Sequence, residues 1–132
     1  MTHFDFTDKT VIITGAASGI GAAQAADFQA AGATVVGIDL QPISNLTDAI
    51  QADVSDPATA ATIAAQYQPD IVCNTAGVLD GYQTVTDTAL SAWQHILDVD
   101  LTSQFLMIKA LLPRILFLTW LVLIVLKMTK NL

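Results

Sequence analysis

The octet Thr14-Gly15-Ala16-Ala17-Ser18-Gly19-Ile20-Gly21 constrains this chain more than any other feature. Before it, residues 9–14 form a short β-branched run. After it, residues 19–31 are alanine-rich and closed by Gly32, a natural helix stop. The glycines therefore sit where a strand gives way to a helix, and each has a separate physical use there. Gly15 permits a tight turn, Gly19 lets a backbone approach a pyrophosphate, and Gly21 lets helix and strand pack closely. Free amides at the helix start attract phosphate. A glycine-rich turn can serve backbone geometry alone, so its placement between strand and helix is what gives it chemical meaning.

The alternation continues along the chain. Residues 34–39 read as a second apolar strand, so the first unit has the strand-helix-strand form that yields parallel, right-handed pairing. Residues 50–54 read as a brief third strand and residues 70–74 as a fourth. Asp56 and Pro57 form a cap and first-turn pair for a helix over residues 58–67. Leu90, Trp93, Leu97, Leu101, Phe105, Ile108 and Leu112 recur at steps of three or four, which predicts one apolar stripe on a long helix ending near Pro113. The pattern predicts an open, doubly wound parallel α/β sheet covered by helices on both faces, truncated after the fourth strand and the long helix that follows it. Residues 1–113 make this domain, and residues 114–132 are a divergent tail.

Charge and composition narrow the partners. A formal charge of -7 argues against nucleic acid, whose phosphates are bound by clustered Lys and Arg. With one cysteine, Cys73, no internal disulfide or cysteine metal cluster can form; Cys73 reads as a small core hydrophobe. The start of the chain lacks the basic and apolar regions of a signal peptide, so a reducing cytoplasm is expected. Neither His3 nor His95 has neighbours in sequence that suggest a metal site or a base, and no metal is expected.

All acidic residues are Asp at or before Asp100, whereas Lys109, Arg114, Lys127 and Lys130 fall in the last stretch. Ile115 to Leu126 is apolar without a charge or a helical or strand period. As a helix, such a stretch rises about 18 Å, short of the roughly 30 Å hydrocarbon core of a bilayer. An interfacial or aggregating segment fits it better than a span, and the flanking lysines keep membrane association open. The abrupt change after Pro113 is also what a reading-frame shift or a re-terminated gene would leave. The coding DNA in other frames tests that idea.

Asp39 ends the second strand at the spacing where a carboxylate accepts hydrogen bonds from both hydroxyls of an adenosine ribose and repels a 2'-phosphate, so NAD is expected rather than NADP. The octet, Asp53-Val54 after the third strand and Asn74-Thr75-Ala76-Gly77 after the fourth together resemble the short-chain dehydrogenase/reductase family, over residues 9–113. The resemblance implies a Rossmann-type domain with Gly15, Ser18, Gly19, Ile20 and Gly21 at the cofactor phosphates. It implies that Asp53 bonds the adenine amino group and Val54 packs on the ring. Asn74, Ala76 and Gly77 would lie along the cofactor ribose, with Thr75 replacing the family's second Asn.

The family's reaction moves hydride between a nicotinamide and an alcohol or ketone, using an Asn in the long fourth helix and then Ser, Tyr and Lys, the last two spaced Tyr-x-x-x-Lys. Here Asp100 stands at the Asn position. Tyr67 and Tyr82 are followed four residues later by Ile71 and Thr86, not by lysine. The expectation is an NAD-binding module without turnover. The alternative is an inactive module that associates with a membrane, with its own copies or with an intact relative, since the family often uses the long helix in subunit contacts.

Overall fold

The backbone hydrogen bonds of four short strands organise the molecule, seen here in a computed structural model that describes residues 4–115. β1 is Thr10–Thr14, β2 Thr34–Asp39, β3 Asp48–Gln51 and β4 Ile71–Asn74, and all pair in parallel in the order β3-β2-β1-β4. Thr14 stands opposite Ile38 on one side and Asn74 on the other. The chain runs outward from β1 through β2 to β3, then returns to the far side of β1. That reversal between β1 and β4 leaves a crevice at the carboxyl ends of the strands, the place where open α/β sheets receive ligands.

Both faces of the sheet are covered, which is why β1 and β2 read as continuous apolar runs. Successive side chains of β1 point to opposite faces. Ile12 joins Val36, Ile38, Val54, Ile63, Val99, Met107 and Leu111 in one core cluster, whereas Val11 and Ile13 join Ala16, Ala25, Val35 and Leu46 in the other. α1, Gly19–Ala30, covers the second cluster with Ala25 and Phe28; α2, Pro57–Gln66, covers the first with Ala60, Ile63 and Ala64. The start of α2 follows from local chemistry: Asp56 Oδ1 accepts the Ala58 N–H at 2.9 Å, and Pro57 occupies a first-turn position that needs no donor.

Two expectations from sequence are corrected. The third strand lies earlier than residues 50–54, at Asp48–Gln51, with Gln51 opposite Asp39. Val54 is buried as expected of a strand residue, but from the turn in which the Asp53 carbonyl accepts the Asp56 N–H at 3.2 Å. The long helix passes through Pro113 and is helical to residue 115, where the described residues end. It begins with α3, Leu90–Leu97, loosens into a π-helical turn at Asp98–Thr102 and stays helical over residues 103–115. Losing one backbone donor at Pro113 is offset by the burial of Met107 and Leu111 in the preceding turns.

The same helix also differs in orientation. Its sheet-facing row is Val99, Ser103, Met107 and Leu111, all buried, while the expected stripe lies on the adjacent outer row, where Trp93 is 54% and Phe105 59% exposed. The tail that raised the membrane question, residues 116–132, lies outside the described residues. Among those described, no helix is long and apolar enough to cross a membrane.

Candidate functional site

The crevice between β1 and β4 is floored by Thr14 and the glycine-rich turn. Gly15 has φ +71°, and its N–H donates to the Ile38 carbonyl at 2.8 Å, tying the turn to the end of β2. A Cβ on Gly15 would lie 2.8 Å from Ala76 Cα, so the turn and the segment after β4 touch backbone to backbone. Gly21 is closer still: a Cβ there would overlap the Gly15 carbonyl, 2.7 Å from its carbon. Gly19 differs from both. It has φ +54° with nothing within 4 Å of a Cβ, so its surroundings are open to a ligand.

Ser18 caps α1 with an extended backbone and no side-chain cap bond, leaving its hydroxyl and the first amides of the helix available. Ile20 is exposed beside them. Together the helix N-terminus and the open space at Gly19 form a cradle suited to a phosphate.

Thr14, only 2% exposed, joins the two halves of the crevice. Its hydroxyl oxygen accepts the Thr75 N–H at 3.0 Å and the Ala76 N–H at 3.1 Å. Thr75 in turn donates its hydroxyl to Gln24 Oε1 on α1 at 2.6 Å. The sequence placed Thr14 in the motif without showing this double acceptance, and nothing in it signalled Gln24. Replacing Thr14 with Val keeps the shape but strands two amides, so Thr14→Val should cost about 1–3 kcal/mol in urea unfolding while Thr14→Ser costs much less. Equal losses for the two variants would show that the hydroxyl does not hold this junction.

Asp39 lies half-buried at the end of β2. Its Oδ2 accepts the Ala17 N–H at 2.9 Å and its Oδ1 the Gln41 N–H at 2.8 Å. Asp53 is exposed, and hydrogen bonds from the Ser55 hydroxyl at 2.7 Å and the Ser55 N–H at 2.8 Å hold its carboxyl below the usual carboxylate range. Val54 is 6% exposed, so most of its side chain already packs in the core. Asn74 Oδ1 is buried with no hydrogen-bond partner in the described structure, and a donor from a ligand or neighbouring strand would satisfy it.

Ala76 and Gly77 continue from Asn74 toward the long helix. There Asp100 Oδ1 accepts the Val78 N–H at 2.8 Å, from within the π-helical turn. The Asp100 side chain thereby fixes the backbone just beyond Gly77. Next to it opens a cleft of about 540 Å³ whose walls include Val78, Leu79, Trp93 and Ile96. No group of three or more potential metal ligands occurs among the described residues.

A family model described as enoyl-(acyl carrier protein) reductase matches residues 15–124, from the glycine turn past the end of the described helix. A short-chain dehydrogenase/reductase of Talaromyces verruculosus is 34% identical over 118 residues, covering 80% of this chain and 46% of that protein. The chain belongs to the short-chain dehydrogenase/reductase family. Two solved dehydrogenase structures share its fold. The ligand-free aldohexose dehydrogenase of Thermoplasma acidophilum superposes with a TM-score of 0.75 at 29% identity, covering 84% of this chain and 46% of its own. A 4-hydroxyisoleucine dehydrogenase complexed with NADH gives 0.70 at 27% identity, covering 77% and 47%. The chain thus spans about half the length of the family members it matches.

Proposed function

We propose that this chain is the dinucleotide-binding half of an oxidoreductase that interconverts alcohols and carbonyls, and that it holds NAD in preference to NADP. The observation that carries this reading is the open glycine turn at the head of α1, faced by the Asp39 carboxylate at the end of the adjacent β2. The pyrophosphate would rest on the amides from Ser18 to Gly21, with Gly15 keeping the turn tight. Asp39 would receive the adenosine ribose. Asp53 would meet the adenine amino group, and the exposed edge of Val54 the ring. Asn74, Ala76 and Gly77 would flank the second ribose, where Asn74 Oδ1 gains the donor it lacks. When bound, the nicotinamide supplies the hydride or takes it up. This chain's residues bind and orient it.

A carboxylate accepts from ribose hydroxyls but opposes a phosphate added at the 2' position. NADH should therefore bind at least about tenfold more tightly than NADPH, a difference of about 1.4 kcal/mol in calorimetry. Equal affinities would sink the assignment of Asp39.

Association with a second copy or an intact relative accompanies this reading, favoured by the outward apolar row through Trp93, Leu101 and Phe105. We place the chain in the reducing cytoplasm, where Cys73, its thiol pKa raised by burial, stays reduced.

A further inference from the structure

Gln24 is a polar side chain on the side of α1 that faces the sheet. Gly21 and Ala25 beside it are buried, and Phe28, one turn on, packs in the cluster beneath. An apolar residue of similar size would suit that position without desolvating a carboxamide. Gln24 is half-buried, and its Oε1 accepts the Thr75 hydroxyl at 2.6 Å across 51 positions of sequence. Thr75 reaches it because side chains alternate along a strand and its extension. Ile71 and Cys73 pack with Ala25 and Phe28 of α1, and Thr75 follows them on that side, whereas Val72 and Ala76 pack on the other.

We propose that Gln24 is a positioning residue for the nicotinamide half of the bound cofactor: acting through Thr75, it sets where Asn74, Ala76 and Gly77 stand relative to the glycine turn. The proposal rests on reading the crevice as an NAD site. Strand order decides which half is affected. β2 and β4 lie on opposite sides of β1, so a dinucleotide laid across the crevice, with its pyrophosphate at the glycine turn, has one nucleoside over Asp39 and the other over residues 74–77. Thr14 already holds the Thr75 and Ala76 amides, but from β1 alone. The Gln24 bond adds an anchor from the helix that presents its first amides to the phosphates. Asn74 Oδ1, buried without a partner among the described residues, meets a ligand donor only if this segment stands in register with the turn. A neutral hydrogen bond adds modestly to stability, since both groups are bonded to water before folding. Its larger effect here is geometric.

Calorimetry with NADH and with ADP on the 132-residue protein separates the two halves. ADP carries the adenosine and the diphosphate but not the second nucleoside. Gln24→Leu removes the acceptor at similar volume, and Thr75→Val removes the donor. Each should weaken NADH about tenfold and leave ADP within about twofold, and the double variant should bind NADH no more weakly than either single one, because the two residues make one contact. Thr75→Ser keeps the hydroxyl and should stay within about twofold of the unmodified protein. Equal losses for NADH and ADP would overturn the proposal, as would full NADH affinity in Gln24→Leu. If Gln24→Leu does not fold, Thr75→Val against Thr75→Ser decides by the same comparison. A second measurement needs no nucleotide. In Gln24→Leu the Thr75 and Ala76 amides should exchange with solvent at least about tenfold faster than in the unmodified protein, while the Gly15 amide, bonded to Ile38, keeps its rate. Unchanged exchange at Thr75 and Ala76 overturns the positioning. Failure of the underlying cofactor reading looks different: the unmodified protein would then bind neither NADH nor ADP, and the role at the cofactor would fall with it, while the faster exchange in Gln24→Leu would persist.

Discussion

Gly21→Ala should destabilise the domain by about 1–3 kcal/mol and lower NADH affinity at least about tenfold, although it adds a single methyl group. The added carbon would overlap the Gly15 carbonyl and stand 3.2 Å from Ala16 Cα, and both neighbours are backbone, with no flexible side chain to swing aside. Gly15 cannot retreat easily. Its N–H is bonded to Ile38 at 2.8 Å, and on its far side it abuts Ala76. Relief would have to come from parting α1 and β1, which loosens the amides that face the phosphates and strains the Thr14 junction as well. Gly19→Ala is the natural control. A Cβ there meets nothing within 4 Å, so only the left-handed backbone at φ +54° is penalised, by about 1–2 kcal/mol. Urea unfolding and NADH titration of both variants decide the matter. If Gly21→Ala keeps full stability and affinity, the close packing of turn and helix is not what shapes the site.

The contrast between these glycines marks where sequence was informative. Gly15 and Gly21 were readable as turn and packing positions because a short β-branched run precedes them and an alanine-rich stretch closed by Gly32 follows. β1 and β2 were legible for a related reason, since parallel strands buried on both faces appear as unbroken apolar runs. β3 was displaced in the reading because Asp48 and Gln51 are polar, while buried Val54, just beyond the strand, mimics a strand residue. On the long helix, Leu101, Phe105, Ile108 and Leu112 satisfy a helical period as well as Val99, Ser103, Met107 and Leu111 do. Periodicity alone cannot say which of two adjacent rows turns toward the sheet, and no residue in Asp98–Thr102 announces a π-helical turn.

The site divides the same way. Asp39 was found by its position at the end of a strand, but its engagement with Ala17 and Gln41 depends on how the turn folds back in space. Asp100 was recognisable as a departure from the family's Asn, yet its bond to Val78 crosses 22 positions of sequence and leaves no local trace.

The 132-residue protein should bind NADH and yet show no turnover of alcohols or ketones. Hydride transfer to a carbonyl needs a proton delivered to the developing alkoxide, and a well-placed donor contributes about 100- to 10,000-fold. Among the described residues, neither tyrosine is paired with a lysine in the way that need requires. Tyr82 is 87% exposed in the segment between β4 and α3, with no lysine four residues on. Tyr67 ends α2 just before β4 begins, at the opposite end of the strands from Asn74 and the glycine turn. Lys9 precedes β1 at that same far end and is paired with Asp70 at 3.2 Å. Asp100 lies beside Gly77, and its Oδ1 is engaged in holding the backbone, accepting the Val78 N–H at 2.8 Å. The assay follows NADH absorbance over a panel of ketones, with protein freed of host dehydrogenases and NADH binding confirmed in the same sample. The expected trace is flat. Reproducible turnover that disappears on Gly19→Val would overturn the prediction, because it would tie the activity to this chain's own glycine turn. Asp100 would then be the group to re-examine, as the carboxyl nearest to Gly77 with a cleft open beside it.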